Sequence, residues 1–177
     1  ILGFSQILDR DLDPVADANR RRYTGHVLSS GRHLMSLIED VIAGLVPLPG
    51  AHDFLAKLRA RTQLIILSDT FEQFARPFMR QLDWPTVFCH RLVVTDDRIV
   101  DYRLRQPDQK RKSVQAFHGL NYRVIAAGDS YNDTTMLGEA DAGFLFHAPA
   151  NVIAEFPQFP ALDSYDELLD AITAQLS

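Results

Sequence analysis

The chain has 177 residues, of which 46% are hydrophobic and 23% charged. That is the composition of one ordinary globular domain, or of a domain with a small appendage, and it excludes disordered, collagen-like and disulfide-scaffold classes. A net charge of −5 argues against a nucleic-acid partner and for a small-molecule or protein one.

No run approaches the ~18 consecutive apolar residues of a membrane span, so no membrane contact is expected. The single cysteine, Cys89, has no internal partner and fits a reducing compartment. Ile1 is not preceded by a charged segment leading into an apolar one, so no signal peptide is read and a cytoplasmic setting is expected.

In chain order, residues 1–44 read as a helical hairpin. Ile1, Leu2, Phe4 and Leu8 form a short apolar stripe broken near Asp13-Pro14. Tyr23, Val27, Leu34, Leu37, Ile38, Val41 and Leu45 form a longer one at helical spacing. Arg20, Arg21 and Arg22 at its start read as a solvated face. Too small to bury both faces alone, the hairpin is expected to pack on the rest of the chain or on a second copy, giving a homodimer. GLVPLPG at 44–50, with its glycines and prolines, marks a boundary, and residues 45–177 form a second region.

In that region helices are predicted over His52–Ala60, Phe71–Leu82, Asp108–Leu120, Asn132–Glu139 and Tyr165–Leu176. Strands are predicted at Leu64–Leu67, Arg123–Ala127 and Ala142–Phe146, and a hairpin at Val87–Thr95 and Ile99–Arg105 around Asp96-Asp97. Short apolar strands alternating with helices predict an α/β fold, a parallel sheet with helices on both faces. Ligands in such folds bind outside the carboxyl ends of the strands, which points to Ser68-Asp69-Thr70 and Gly128-Asp129-Ser130.

At the second of these, VIAAGDSYND runs an apolar strand into a glycine and then two carboxylates, Asp129 and Asp133, four residues apart at a helix start. Hard cations such as Mg²⁺ suit that kind of donor, although aspartates there also cap helices. At the first, a strand-end hydroxyl followed by a helix N-terminus can bind a phosphate oxygen, or Ser68 and Thr70 can serve only as caps. Lys110 opens a helix within the charged run Asp108-Gln109-Lys110-Arg111-Lys112, a run that by itself reads equally as solvated surface.

Together, in this order, PLPG, LIILSDTFEQFARPFMRQL, LRQPDQKRKSV, YRVIAAGDSYNDTTML and FHAPANVIAEFPQFP resemble the haloacid dehalogenase superfamily. The likeness is to its phosphoserine phosphatases, the bifunctional phosphoserine phosphatase/homoserine phosphotransferase type above all. The resemblance covers about three quarters of the chain. It implies a Rossmannoid parallel sheet, Mg²⁺ as cofactor and a small phosphomonoester, phosphoserine-like, as substrate. Ser68 would bind the transferring phosphoryl group and Lys110 neutralise its charge. Asp129 and Asp133 would serve the metal, Asn132 would lie beside the phosphate, and Asp69 and Thr70 would line the same mouth.

In that family an apolar strand ending in Asp-x-Asp or Asp-x-Glu supplies the nucleophile, which forms an aspartyl-phosphate. No such strand is recognised here. Asp9-Arg10-Asp11 and Asp11-Leu12-Asp13 follow no buried-strand pattern. ILGFSQIL and RRRYTGHVLSSGRHLMSLIEDVI instead resemble the dimerisation hairpin of sensor histidine kinases, without the phospho-accepting histidine motif; His26 and His33 read as surface residues. The expectation is therefore a phosphomonoester hydrolase or phosphotransferase by descent, impaired as written. The alternatives are a non-catalytic chimera or fragment that keeps the fold, and a signalling dimerisation module.

Overall fold

The computed structural model describes residues 44–95 and 98–176, together with Gly25, His26 and Ser29. Apart from Gly25, His26, Ser29 and Gly44, the hairpin read at 1–44, with its stripe of Val27, Leu34, Leu37, Ile38 and Val41 and with Asp9, Asp11 and Asp13, lies outside the described residues. Gly25, His26 and Ser29 are helical and exposed.

The elements in chain order are α1 (Ala51–Arg59), β1 (Ile65–Phe71), α2 (Glu72–Gln81), β2 (Thr86–Thr95), β3 (Arg98–Arg103) and α3 (Gln109–Gly119). They continue with β4 (Ile125–Gly128), a 3-10 turn (Tyr131–Asp133), α4 (Thr134–Glu139), β5 (Ala142–Phe146), α5 (Ala150–Glu155), β6 (Ala161–Leu162) and α6 (Tyr165–Gln175). The described residues divide into two units, one of Asp69–Arg105 with residues 25, 26, 29 and 44–47, the other of Leu48–Ser68 with residues 106–176.

In the second unit the sheet order is β4-β5-β6. Both pairings are parallel, with Ile125 opposite Ala142, Gly128 opposite Leu145 and Leu145 opposite Ala161. Side chains alternate across β5, so Phe144 and Leu145 enter different cores. Phe144 joins Phe54 and Leu58 of α1, spaced one helical turn apart, with Leu168, Leu169 and Ile172 of α6. Leu145 joins Val114 of α3, Ala126, Met136, Leu137 and Val152. The sheet is thus covered on both faces, as a parallel sheet requires.

The start of α6 is fastened by a capping box. Ser164 Oγ accepts from the Glu167 N–H at 3.2 Å, and Glu167 Oε2 accepts from the Ser164 N–H at 3.1 Å. Asp141, leading into β5, accepts from the Val124 N–H at 2.7 Å and faces His118 Nε2 of α3 at 2.9 Å, locking the helix to the β4–β5 edge.

The first unit holds β2, β3 and the last three residues of β1, Asp69–Phe71, and the order of these strands is β1-β2-β3. β2 and β3 pair antiparallel as the hairpin pattern predicts, with a register shift between Val93 and Val94. Gln73 of α2 grips β2 from the side, donating to the Leu92 carbonyl at 2.9 Å and accepting from its N–H at 3.1 Å.

Three sequence expectations are corrected. β1 does not end at Leu67 but continues through Ser68, Asp69 and Thr70 to Phe71, because no glycine or proline breaks that stretch and Thr70 and Phe71 favour extended backbone. Phe71, not Thr70, is therefore the residue before α2, and it makes no side-chain cap. The helix read over Asn132–Glu139 begins as a 3-10 turn and becomes α-helical only at Thr134. Two elements absent from the sequence reading, α5 and β6, are too short to show periodicity. β1 and β4 lie in different sheets and do not pair directly.

Close packing of α4 on β5 depends on Gly143, where an added Cβ would stand 2.6 Å from the Leu137 carbonyl oxygen. The obstacle is backbone, so it cannot swing aside. Gly143→Ala is expected to lower stability by about 1–3 kcal/mol in urea denaturation, and unchanged stability would contradict this packing.

Candidate active site

The site is built where β4 ends. Gly128 closes the strand, and a Cβ there would meet the Asp133 Cβ and Cγ at 2.5 Å. Only glycine lets the Asp133 side chain fold back beneath the loop. The Asp133 Oδ2 then accepts from the backbone N–H groups of Asp129 and Ser130, each at 3.1 Å, and lies 3.0 Å from the Ser130 hydroxyl. The Ser130 hydroxyl also reaches the Asn132 side-chain oxygen. The Asp129–Asp133 segment is therefore wound around one carboxylate.

The other oxygen of that carboxylate, Oδ1, takes the Lys110 ammonium at 2.7 Å. Lys110 is 8% exposed and Asp133 5%, so water screens the pair little. Burial alone would raise the Asp133 carboxyl out of its usual range. The Lys110 hydrogen bond and charge, with the Ser130 contact and the Asp129 N–H, outweigh it and hold the group below that range. Lys110 enters from the first turn of α3, which follows Asp108 in left-handed backbone (φ 47°, ψ 50°), a conformation aspartate tolerates better than most residues.

Ser68, in the second unit's part of β1, is half-buried, and its carbonyl accepts from the Gln109 side-chain amide at 2.5 Å. The structure thus joins Lys110 and Asp133 directly, Asp129 to Asp133 through its backbone, and Ser68 to the residue beside Lys110. Asp129 and Asn132 are exposed at the carboxyl edge of the parallel sheet. From the other side, the Tyr131 hydroxyl donates to Glu155 Oε2 at 2.8 Å, tying the loop to α5. Asp69 and Thr70 belong to the first unit. There Asp69 Oδ1 stands 3.8 Å from Nε2 of His90, whose Nδ1 accepts from the Arg105 N–H at 3.2 Å.

Sequence reasoning missed Gln109 and the Tyr131–Glu155 contact. A glutamine beside two lysines and an arginine reads as surface, and only tertiary packing buries it.

Mg²⁺ asks for six oxygens and keeps several as water. No cluster of three or more His, Cys, Asp or Glu that could hold a metal exists among the described residues. Asp133, expected with Asp129 to serve the metal, has both oxygens on protein donors, while Asp129 is exposed. The described residues alone do not fit a Mg²⁺ centre.

Asp133→Asn would leave the Lys110 charge buried without its counterion, and unfolding should show a loss of about 3–5 kcal/mol. The wild type carries a matching pH signature. Asp133, Asp141 and Glu167 are all held below their ordinary values when folded, Asp141 first by the Val124 N–H and Glu167 first by the Asp163 N–H. The stability they contribute is present above the ordinary carboxylate range and is lost as pH falls through the lower folded values. A melting temperature flat across that fall would contradict the assignment, and Asp133→Asn should flatten it in part.

A family model described as haloacid dehalogenase-like hydrolase matches residues 1–138. The chain is 64% identical over 132 residues to a phosphoserine phosphatase of Pseudomonas syringae pv. tomato, a match covering 74% of this chain and 56% of that protein. It is equally 64% identical over 132 residues to the phosphoserine phosphatase ThrH of Pseudomonas aeruginosa, covering 74% and 64% respectively. The matches thus span less than two thirds of these curated relatives. A solved phosphoserine phosphatase from T. onnurineus superposes with a TM-score of 0.59 at 24% identity, over 76% of this chain and 62% of that one. A phosphoserine phosphatase in apo form gives 0.57 at 18% identity, over 78% of each. At these identities the solved structures speak for the fold alone, and it is a haloacid dehalogenase-like α/β fold, a parallel sheet with flanking helices. With the family model matching more than three quarters of its length, the chain belongs to the haloacid dehalogenase-like hydrolases.

Proposed function

We propose that this chain binds small phosphomonoesters of the phosphoserine type and, as written, turns them over slowly or not at all. The observation that carries the reading is the buried Lys110 ammonium, fixed 2.7 Å from Asp133 beneath the GDSYND loop at the carboxyl end of a parallel sheet. Phosphoryl transfer asks a protein mostly for positioning and charge stabilisation. Lys110 supplies a positive charge that cannot wander. Ser68 carries a hydroxyl able to donate to a phosphoryl oxygen, and Asn132 offers an amide at the loop's outer side. Asp69 and Thr70 follow Ser68 in the chain and extend this reading as substrate-contacting candidates. The names of the two Pseudomonas relatives, both phosphoserine phosphatases, support the substrate class.

The proposed impairment follows from the nucleophile. Hydrolases of this family generally depend on Mg²⁺, and the resemblance places their attacking aspartate at the end of an apolar strand. Neither Asp9-Arg10-Asp11 nor Asp11-Leu12-Asp13 follows a sequence pattern of that kind. Loss of a covalent nucleophile typically removes several orders of magnitude in rate, while binding by the remaining groups survives. With Asp133 committed to Lys110, Mg²⁺ would be held weakly.

Turnover of O-phosphoserine and of an aryl phosphate, each with Mg²⁺ and with Asp129→Asn as control, tests this. Background-level rates together with measurable phosphate binding are expected. Robust turnover that Asp129→Asn abolishes would reveal an unrecognised nucleophile and overturn the impairment; Asp11→Asn would then locate it.

The apolar stripe of residues 1–44 supports a further part of the proposal, self-association through the N-terminal segment. Val27, Leu34, Leu37, Ile38 and Val41, if exposed together, would make an apolar patch that soluble monomers seldom leave open. Light scattering should give a dimer that Leu34→Glu with Leu37→Glu dissociates. A monomer in the wild type would contradict it.

A further inference from the structure

We propose that Gln109 is a positioning residue of this site, holding Ser68 in register with Lys110. The inference deepens the phosphomonoester reading and rests on it. Gln109 is 3% exposed, and its side-chain amide donates to the Ser68 carbonyl at 2.5 Å across 41 residues of chain. Burying the side-chain N–H donor of a glutamine is costly unless its hydrogen bond to water is replaced, and the Ser68 carbonyl replaces it.

The placement explains the task. Successive residues in a helical turn point ~100° apart, so the three residues at the start of α3 reach three different elements. Asp108 Oδ1 accepts from the Thr135 hydroxyl of α4 at 3.3 Å. Gln109 takes the Ser68 carbonyl of β1, and Lys110 takes Asp133 in the loop after β4. The left-handed backbone of Asp108, φ 47°, sets the direction of this fan.

A phosphoryl group shared by the Ser68 hydroxyl and the Lys110 ammonium needs both at a fixed separation, and a misplacement of ~1 Å can cost about a hundredfold. Gln109 bonds to the backbone of the first from the position next to the second. It needs no contact with substrate to control that separation.

Two variants of the full chain test the role. Gln109→Met removes the donor at similar volume. Gln109→Glu presents a group that donates to the Ser68 carbonyl only while protonated. Affinity for inorganic phosphate is measured by titration calorimetry, and the Ser68 carbonyl carbon shift by NMR, each across pH with wild type at every pH.

Gln109→Met is expected to weaken phosphate binding by about tenfold and to move the Ser68 carbonyl shift. Gln109→Glu should match wild type at acidic pH and fall to the level of Gln109→Met as its carboxyl ionises, a pH response that a merely structural role would not produce. Variants that bind phosphate like wild type at all pH overturn the inference. So does a loss that tracks thermal stability and shows no recovery of Gln109→Glu in acid. If wild type itself binds no phosphate, the phosphomonoester reading fails and takes the inference with it, an outcome distinct from wild-type binding with unaffected variants.

Discussion

One buried ion pair organises the site-bearing unit. Asp133 and Lys110 come from segments 23 residues apart and meet at 2.7 Å where water has little access. A buried pair is costly to assemble and costlier to break, so its surroundings have to be right. Gly128 must lack a side chain so that Asp133 can turn under the loop. The backbone N–H groups of Asp129 and Ser130 must point inward to meet the second oxygen. Asp108 must adopt left-handed backbone to aim α3. The loop conformation, the helix entry and the strand end are consequences of satisfying one carboxylate.

That commitment has a chemical consequence. A carboxylate that accepts from two backbone N–H groups, faces a hydroxyl and bonds an ammonium has little left to offer a metal ion. Asp133 acts as the counterion that holds Lys110 in place, while Asp129, on the same loop, is exposed. The two aspartates of GDSYND thus divide their work by orientation, one turned into the protein and one turned out. The Tyr131–Glu155 hydrogen bond and the ring contact of Tyr131 with Phe156 brace the loop from the side of α5.

Much of this was legible from the residues, for identifiable reasons. β5 is a continuous apolar run, Ala142–Phe146, with two faces to bury, and α6 starts at a capping box; both are local signals strong enough to read directly. The β2–β3 hairpin follows from two β-rich runs around Asp96-Asp97. By contrast α5 and β6 lie among Pro149, Pro157 and Pro160, where short elements leave no periodic trace. The end of β1 was misread because Ser68-Asp69-Thr70 looks like a turn and is held extended by its place in a sheet. At the site, Asp129, Asp133 and Lys110 stand out as charges at the start of helices. That Lys110 and Asp133 meet depends on packing 23 residues apart, and Gln109 is polar by type and buried only by its neighbours.

The proposed anion site combines the fixed charge of Lys110, beneath the GDSYND loop, with the Ser68 hydroxyl. Inorganic phosphate titrated into isotopically labelled protein, followed residue by residue by NMR, measures it directly. Saturable shifts are expected at Ser68, Lys110 and Gly128–Ser130, with none along α6, and all of them should be lost in Lys110→Met. Phosphate that leaves those resonances unmoved, or moves them equally in Lys110→Met, would contradict it.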